Sequence, residues 1–527
     1  MILGRSWGCA HRRPKIGFME NANSQPQAST DAGSASIADR PLREMVRLAL
    51  PVVVAMSSYT VMQSVDKLMV SRIGPDPIYV GVQGNGGLAA WVPISIVIGM
   101  LGVINTYVAQ NLGNKTPERA PAYAWAGIWL GAGAWLALIP YALLMGGIFE
   151  WLGHDAERAS MQASYGRVLV LGSILTISAR SLSQFFYGMH RPVVVLVAEV
   201  AANLTNVVFN SVLIYGPTAP SPTGVGLIDG WFGWTAGVAS GLGIPRLGVE
   251  GAAIGTVIAT VVELAIPAGV FLSAKYNRLY RTRAAWRPSR GPIRDILRIG
   301  WPGGAMFGNE MICWAFFMVY LVGDFGTHHS NAGWIAHQWM SLSFMPAVGI
   351  SFAVTSVVGR CMGAGRPDLA KRRALLGVML SAGYMGTMGL LFVVFREEMV
   401  GLYVSGETVS EDRAAIIRLG SGFMIAAATF QLFDGIAMSI SGALRGAGDT
   451  VWVGVVTVIL AWSMIVAGGL AMVRFLPGLE SLGPWIAASG YIIVLSVAVS
   501  FRFRSGNWMS IRLVGDRGGA AIAGDAS

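Results

Sequence analysis

Twelve apolar stretches, each long enough to cross a bilayer, constrain this chain more than any other feature. They run over roughly 48–70, 87–110, 122–147, 165–187, 193–215, 249–273, 299–322, 334–359, 374–395, 414–440, 451–473 and 484–503. A hydrocarbon core about 30 Å thick needs about 20 mostly apolar residues at a rise of about 1.5 Å each. Inside it the backbone finds no water, so each stretch must satisfy its own polar groups as a helix. The expected fold class is an all-α polytopic membrane protein with 12 transmembrane helices. Composition agrees, with 54% hydrophobic and 13% charged residues, against about 25% charged in a soluble domain. The 68 glycines suit membrane helices that pack closely.

The net charge of +10 does not argue for nucleic acid, because its placement has another explanation. The even-numbered loops and both tails hold 28 Lys and Arg, and the odd-numbered loops with the helix ends facing the same way hold eight. The positive-inside rule then places both termini and the even loops in the cytoplasm. The acidic breaks "GIFEWLGHDAERAS" and "VSGETVSEDR" fall on the opposite face. The first forty residues are basic, then rich in Ser, Gln, Asn and Ala, and lack the apolar stretch of a signal peptide. Met19 offers an alternative start. Cys9, Cys313 and Cys361 have neither metal-like nor disulfide spacing, and the six His form no HExxH pattern.

The two halves of the chain repeat. "REMVRLALP" (43–51) matches "RDILRIGWP" (294–302), and "VAQNLGNKTPERA" (108–120) matches "VGRCMGAGRPDLA" (358–370). "GMHRP" (188–192) matches "GALRG" (442–446), and the three offsets are 251, 250 and 254. Six spans per half put both halves in the same orientation, related by an axis along the membrane normal. The expected organisation is a disordered cytoplasmic tail at 1–40 and an N-terminal six-helix lobe at 41–273. A basic cytoplasmic linker at 274–298, a C-terminal six-helix lobe at 299–505 and a disordered tail at 506–527 follow. Two pseudo-symmetric lobes with a cleft between them suit alternating access.

Ionisable residues within spans are costly and mark function by default. They are Asp66, Lys67, Arg180, Glu199, Glu263, Glu310 and Asp434. Glu310 lies 12 residues beyond Arg298 and Asp434 lies 11 before Arg445, so both sit about 17 Å from the cytoplasmic edge. At one depth in one half they can share a cation, one can hold a proton, or they can form a structural hydrogen bond. Asn203, Asn206 and Asn210 share one helix face, with Asn210 at a depth matching Asp66 and Asn206 one turn earlier. They serve either as interhelical hydrogen bonds or, with Asp66, as a second cation or proton site. Arg180 and Glu199 flank the same cytoplasmic turn and are expected to form a buried structural pair. Glu263 receives no assignment, and His337 alone in its span fits a core histidine.

"FQLFDGIAMSISGALRGAGDT" (430–450), with Asp434 inside the helix, resembles the multidrug and toxic compound extrusion (MATE) family. "VDKLMVSRIG" (65–74), "NVVFNSVLIYG" (206–216), "IPRLGVEGAAIGTVIA" (244–259) and residues 335–372 are similar to further segments of it, over roughly residues 41–505. The resemblance implies the MATE/MOP-type fold and an antiporter for drugs or metabolites driven by Na⁺ or H⁺. Its NorM-like branch carries a span 7 Glu and a span 10 Asp as cation ligands. These match Glu310 and Asp434, with Na⁺ possible there, while the first-span Asp matches Asp66 and the fifth-span Asn matches Asn206. Lys67 stands where the family usually has a small polar residue, and Phe430 where that branch often has a Tyr. In the family motif of Arg445, Gly446, Asp449 and Thr450, the glycines make a tight turn. Arg445 is expected to anchor at anionic lipid, and Asp449 or Thr450 to cap span 11. The insertion at 217–241 has no assignment.

The expected function is a cation-coupled antiporter, not an enzyme, exporting amphipathic, cationic organic compounds across the cell (inner) membrane. It works as a monomer, needs no cofactor beyond the coupling ion and binds no nucleic acid. The alternative is a flippase for lipid-linked oligosaccharides or peptidoglycan precursors. That would line its cavity with several Arg or Lys, whereas acidic residues outnumber basic ones inside these spans.

Overall fold

Each apolar stretch becomes a helix in the computed structural model, which describes residues 40–74, 78–222, 224–404 and 410–514. The spans are α1 Pro41–Val70, α2 Ile78–Gly113, α3 Pro117–Trp151, α4 Ala156–Gly188, α5 Pro192–Tyr215 and α6 Gly248–Phe271. Then come α7 Arg290–Phe325, α8 Thr327–Gly363, α9 Pro367–Val394, α10 Glu411–Ala447, α11 Thr450–Phe475 and α12 Leu482–Ser505. Several outrun their apolar stretches, because a helix continues beyond the hydrocarbon until a cap or proline stops it. Asp155 caps α4 by accepting from the Arg158 amide at 3.0 Å. Pro192 and Pro367 open α5 and α9.

Apart from Arg40, the expected tail at 1–40 lies outside the described residues. Residues 506–514, expected to be disordered, are placed against the end of α12. Trp508 is fully buried, donates to the Phe503 carbonyl at 2.8 Å and stacks on the Phe503 ring. Burying a large aromatic whose N–H is satisfied outweighs the loss of chain freedom there. The insertion at 217–241 forms most of a helix, Gly226–Leu242. Trp231 ties it to α5 by donating to Ser211 Oγ at 3.0 Å, and Phe232 packs edge-on against Tyr215.

The lobes meet through paired helix crossings that follow the sequence repeat. A Cβ on Gly113 would lie 2.0 Å from the Arg360 carbonyl oxygen, and one on Gly363 would lie 2.0 Å from that of Gln110. Gln110 and Arg360, like Gly113 and Gly363, are equivalent residues at an offset of 250. The crossing of α2 on α8 is therefore reciprocal, as in a two-fold dimer. Gly99 of α2 against Gly303 of α7, and Gly349 of α8 against Val53 of α1, repeat the relation nearer mid-helix.

Candidate functional site: carboxylates and the seal between the lobes

The face bearing the linker and the even-numbered loops is called the basic face here. Hydrogen bonds joining the lobes gather on its side. Asn105 donates to the Phe352 carbonyl at 3.3 Å, Thr106 to that of Arg445 at 2.9 Å and Gln110 to that of Gly446 at 3.0 Å. From the other lobe, Ser356 donates to the Tyr187 carbonyl at 2.7 Å, and the Tyr187 ring stacks on Phe352. At the rim, Glu44 lies 3.2 Å from Arg373 and 3.8 Å from Arg360. Asn105, Thr106 and Gln110 are buried, so these bonds form away from water, where leaving them unmade is costly.

The 442–450 motif belongs to this seal. Arg445 does not reach a lipid surface. Its guanidinium turns inward and donates to Ser351 Oγ at 3.0 Å, while its carbonyl receives Thr106. Gly446 is required because a Cβ there would lie 2.5 Å from the Thr355 carbonyl oxygen. Asp449 occupies the cap position of α11 without a side-chain cap bond. Its carboxylate instead pairs with Arg502 at 2.7 Å, and Thr450 donates to the Ile299 carbonyl at 2.6 Å. A partner from another helix, the Arg502 guanidinium for Asp449 and a backbone carbonyl for Thr450, takes the place of the local cap.

In the C-terminal lobe, Glu310 on α7 and Asp434 on α10 are half-buried. They lie close enough for their charges to interact, and both act on Tyr491 of α12. Among the described residues neither has a hydrogen bond or an ion pair, so no fixed cation neutralises them. Phe430 is buried among Phe423 and other apolar side chains, so it adds no ligand. Asn309, beside Glu310, turns its carbonyl to Trp462 at 2.6 Å.

In the N-terminal lobe, Asp66 is buried and accepts from Asn210 Nδ2 at 2.7 Å. The same amide nitrogen reaches Asn206 Oδ1 at 3.1 Å, and Asn206 Nδ2 reaches Thr256 Oγ1 at 3.4 Å. Asn203 takes a different partner, Ser58 Oγ at 2.5 Å. Gly255 makes room for Asn210, whose Oδ1 would meet a Cβ there at 2.1 Å. Lys67 is exposed and lies within electrostatic reach of His337 in the other lobe.

Arg180 and Glu199 lie 2.7 Å apart, and Glu263 joins them at 3.6 Å from the same guanidinium. That third member carried no sequence signal beyond being a charge within a span. The seal residues on α2 were marked only by the repeat itself. Among the described residues no group of three or more His, Cys, Asp or Glu side chains could hold a metal ion.

A family model described as MatE matches residues 51–212 and 309–468, one block in each lobe. The chain is 27% identical over 485 residues to the probable multidrug resistance protein NorM of Pseudomonas putida (strain KT2440), covering 90% of this chain and 96% of that one. A solved multidrug resistance MATE family transporter of the MOP superfamily, in an outward-facing conformation, has a TM-score of 0.73 at 19% identity. It covers 89% of this chain and 96% of that one. A MOP superfamily transporter from Pyrococcus furiosus gives a TM-score of 0.74 at 20% identity, over 89% and 96% of the two chains. These likenesses establish the two-lobe, twelve-helix fold, and the matched blocks take in α1 to α5 of one lobe and their repeat-mates α7 to α11 of the other. Because that match extends over more than half of the residues, the chain belongs to the MatE family of membrane transporters and is not an enzyme.

Proposed function

We propose that the protein is a cation-coupled antiporter, driven by Na⁺ or H⁺, that exports amphipathic, cationic organic compounds by alternating access. The observation that carries this reading is the pair Glu310 and Asp434, half-buried within electrostatic reach of each other and, among the described residues, without a basic partner. Two carboxylates left unneutralised in a membrane lobe call for a cation from outside the chain. A proton satisfies them directly. A sodium ion would complete its shell with water or carbonyl oxygens. The seal on the basic face, cytoplasmic by its excess of Lys and Arg, accounts for a state open to the other side. Loading the site favours one arrangement only if the ion binds the two states unequally. Carboxylates that gain or lose water as the lobes move supply that difference. The family relationship, with relatives named as multidrug resistance proteins, supports drug-like cargo and a bacterial cytoplasmic membrane.

The test is efflux from proteoliposomes with Na⁺ and H⁺ gradients imposed separately, against a panel of organic cations. One gradient should drive efflux, and Asp434→Asn should reduce it to the leak while the protein stays folded. Gradient-driven transport at the wild-type rate in that variant would overturn the reading. The flippase reading draws on Lys67 and His337. One amine and one imidazole are a poor match for a pyrophosphate, and Glu310 and Asp434 would repel it.

A further inference from the structure

The charges of the N-terminal lobe do not balance. Among the described residues, Arg180 of α4 is the one cation serving two carboxylates, Glu199 of α5 at 2.7 Å and Glu263 of α6 at 3.6 Å. Glu199 is almost fully buried and Glu263 is nine-tenths buried. The short contact belongs to Glu199, which accepts a hydrogen bond from Arg180 Nη1. Glu263 Oε1 is sealed from solvent and has no hydrogen-bond partner. The other groups facing the cluster are the phenols of Tyr59 and Tyr187. Tyr59 lies under the guanidinium with its ring centroid at 5.7 Å, and the Tyr187 hydroxyl also lacks a partner. Neither phenol supplies positive charge. A guanidinium can neutralise one carboxylate, and a second left ionised at this depth is strongly disfavoured.

We propose that Glu263 is a proton-binding site of the N-terminal lobe, separate from Asp66 and from the Glu310–Asp434 pair. A proton suits this position better than Na⁺. The guanidinium already occupies the space between the carboxylates and would repel a metal cation. A proton instead adds to the Glu263 carboxylate, leaving a neutral acid that needs no counter-charge. No other bond changes.

A route to the site is built into two helices. Glu199, Asn203, Asn206 and Asn210 recur at four, three and four residues along α5, on one face. Thr256, Thr260 and Glu263 do the same along α6. Asn206 reaches across to Thr256, and Thr260 bonds to the Thr256 carbonyl. This polar stripe spans eleven residues of α5, about 16 Å, and ends at Asp66. At its other end Tyr187, within reach of the cluster's charges, stacks on Phe352 across the seal. The proton state of Glu263 is thus felt beside the contacts that hold the lobes together.

Infrared spectroscopy of the purified full-length protein tests the site without requiring transport. The background is the triple variant Asp66→Asn, Glu310→Gln, Asp434→Asn, which silences the buried and half-buried carboxylates outside the Arg180 cluster that lack a basic partner among the described residues. Difference spectra between about pH 6 and about pH 9 leave most surface carboxylates ionised throughout. The background should retain one titrating protonated-carboxyl C=O band, and Glu263→Gln should abolish it. Glu199→Gln should abolish it as well, because Arg180 then pairs with Glu263 and holds it ionised. If the background destabilises the fold, the same single variants in the wild-type chain should each remove one component of the carboxyl band. A band that survives Glu263→Gln, or no titrating carboxyl before the substitution, would overturn the proposal. Either result leaves the efflux test of Glu310 and Asp434 unaffected, so the two readings fail separately.

Discussion

Replacing Gly363 by Ala should prise open the seal on the basic face. The added Cβ would lie 2.0 Å from the Gln110 carbonyl oxygen and 2.7 Å from its Cα and C atoms. These are backbone atoms of α2, so no side chain can swing aside. Non-bonded contact needs about 3 Å or more, so α2 and α8 must separate by about 1 Å, in an interior packed too densely to absorb it. Overpacking of this kind costs about 1–3 kcal/mol. The better helix propensity of Ala acts in both arrangements of the lobes and cancels. The penalty falls on the arrangement in which the crossing is closed, shifting the population about 5–150-fold toward the open one. Cys361, buried beside the crossing, reports that shift. With Cys9→Ser and Cys313→Ala in the background, thiol labelling should accelerate by that factor. Gly133→Ala, where a Cβ meets nothing within 4 Å, should leave it unchanged. A folded Gly363→Ala protein that labels Cys361 at the parent rate would refute the account of the seal.

Glu44→Gln should loosen the same seal from its rim. Its partner Arg373 is almost fully buried, but Glu44 is 28% exposed, so the cost is about 1–2 kcal/mol rather than the larger value for a sealed pair. Cys361 labelling should rise about 5–30-fold, and an unchanged rate would mean that the ion pair does not hold the lobes. His190, in the turn between α4 and α5, is held at about 4, below the ordinary histidine value, by burial and by the positive charge of Arg360. Because its folded value is depressed, its contribution is complete above about pH 6.5. It is lost as pH falls toward about 4, where the unfolded chain binds more protons. Thermal unfolding should therefore show stability falling over that window. His190→Asn, which suits the left-handed backbone there (φ 58°), should flatten the dependence. An identical slope in the variant would assign the pH effect to another group.

The positions of the charges were legible because lipid makes each one conspicuous. Asp66, Glu310 and Asp434 stand out in any apolar stretch, and periodicity put Asn206 and Asn210 on one face. What each charge touches was not legible. Arg445 reads as a surface anchor when only its place at a helix end is known, yet its partner, Ser351, lies 94 residues away. Asp449 reads as a cap and pairs with Arg502 of another helix. Glu263 stood out only as a charge within a span, because its significance lies in a charge count over three helices.

Apolar length, charge asymmetry and the repeat determined twelve helices in two lobes, since the bilayer acts on each segment of chain separately and forces its backbone to close on itself. Which side of the lobes is shut, and which carboxylate is left without a counter-charge, was decided only in three dimensions. Those properties depend on distances of a few ångströms between helices remote in sequence, and a glycine at a crossing has no side chain with which to announce its neighbour.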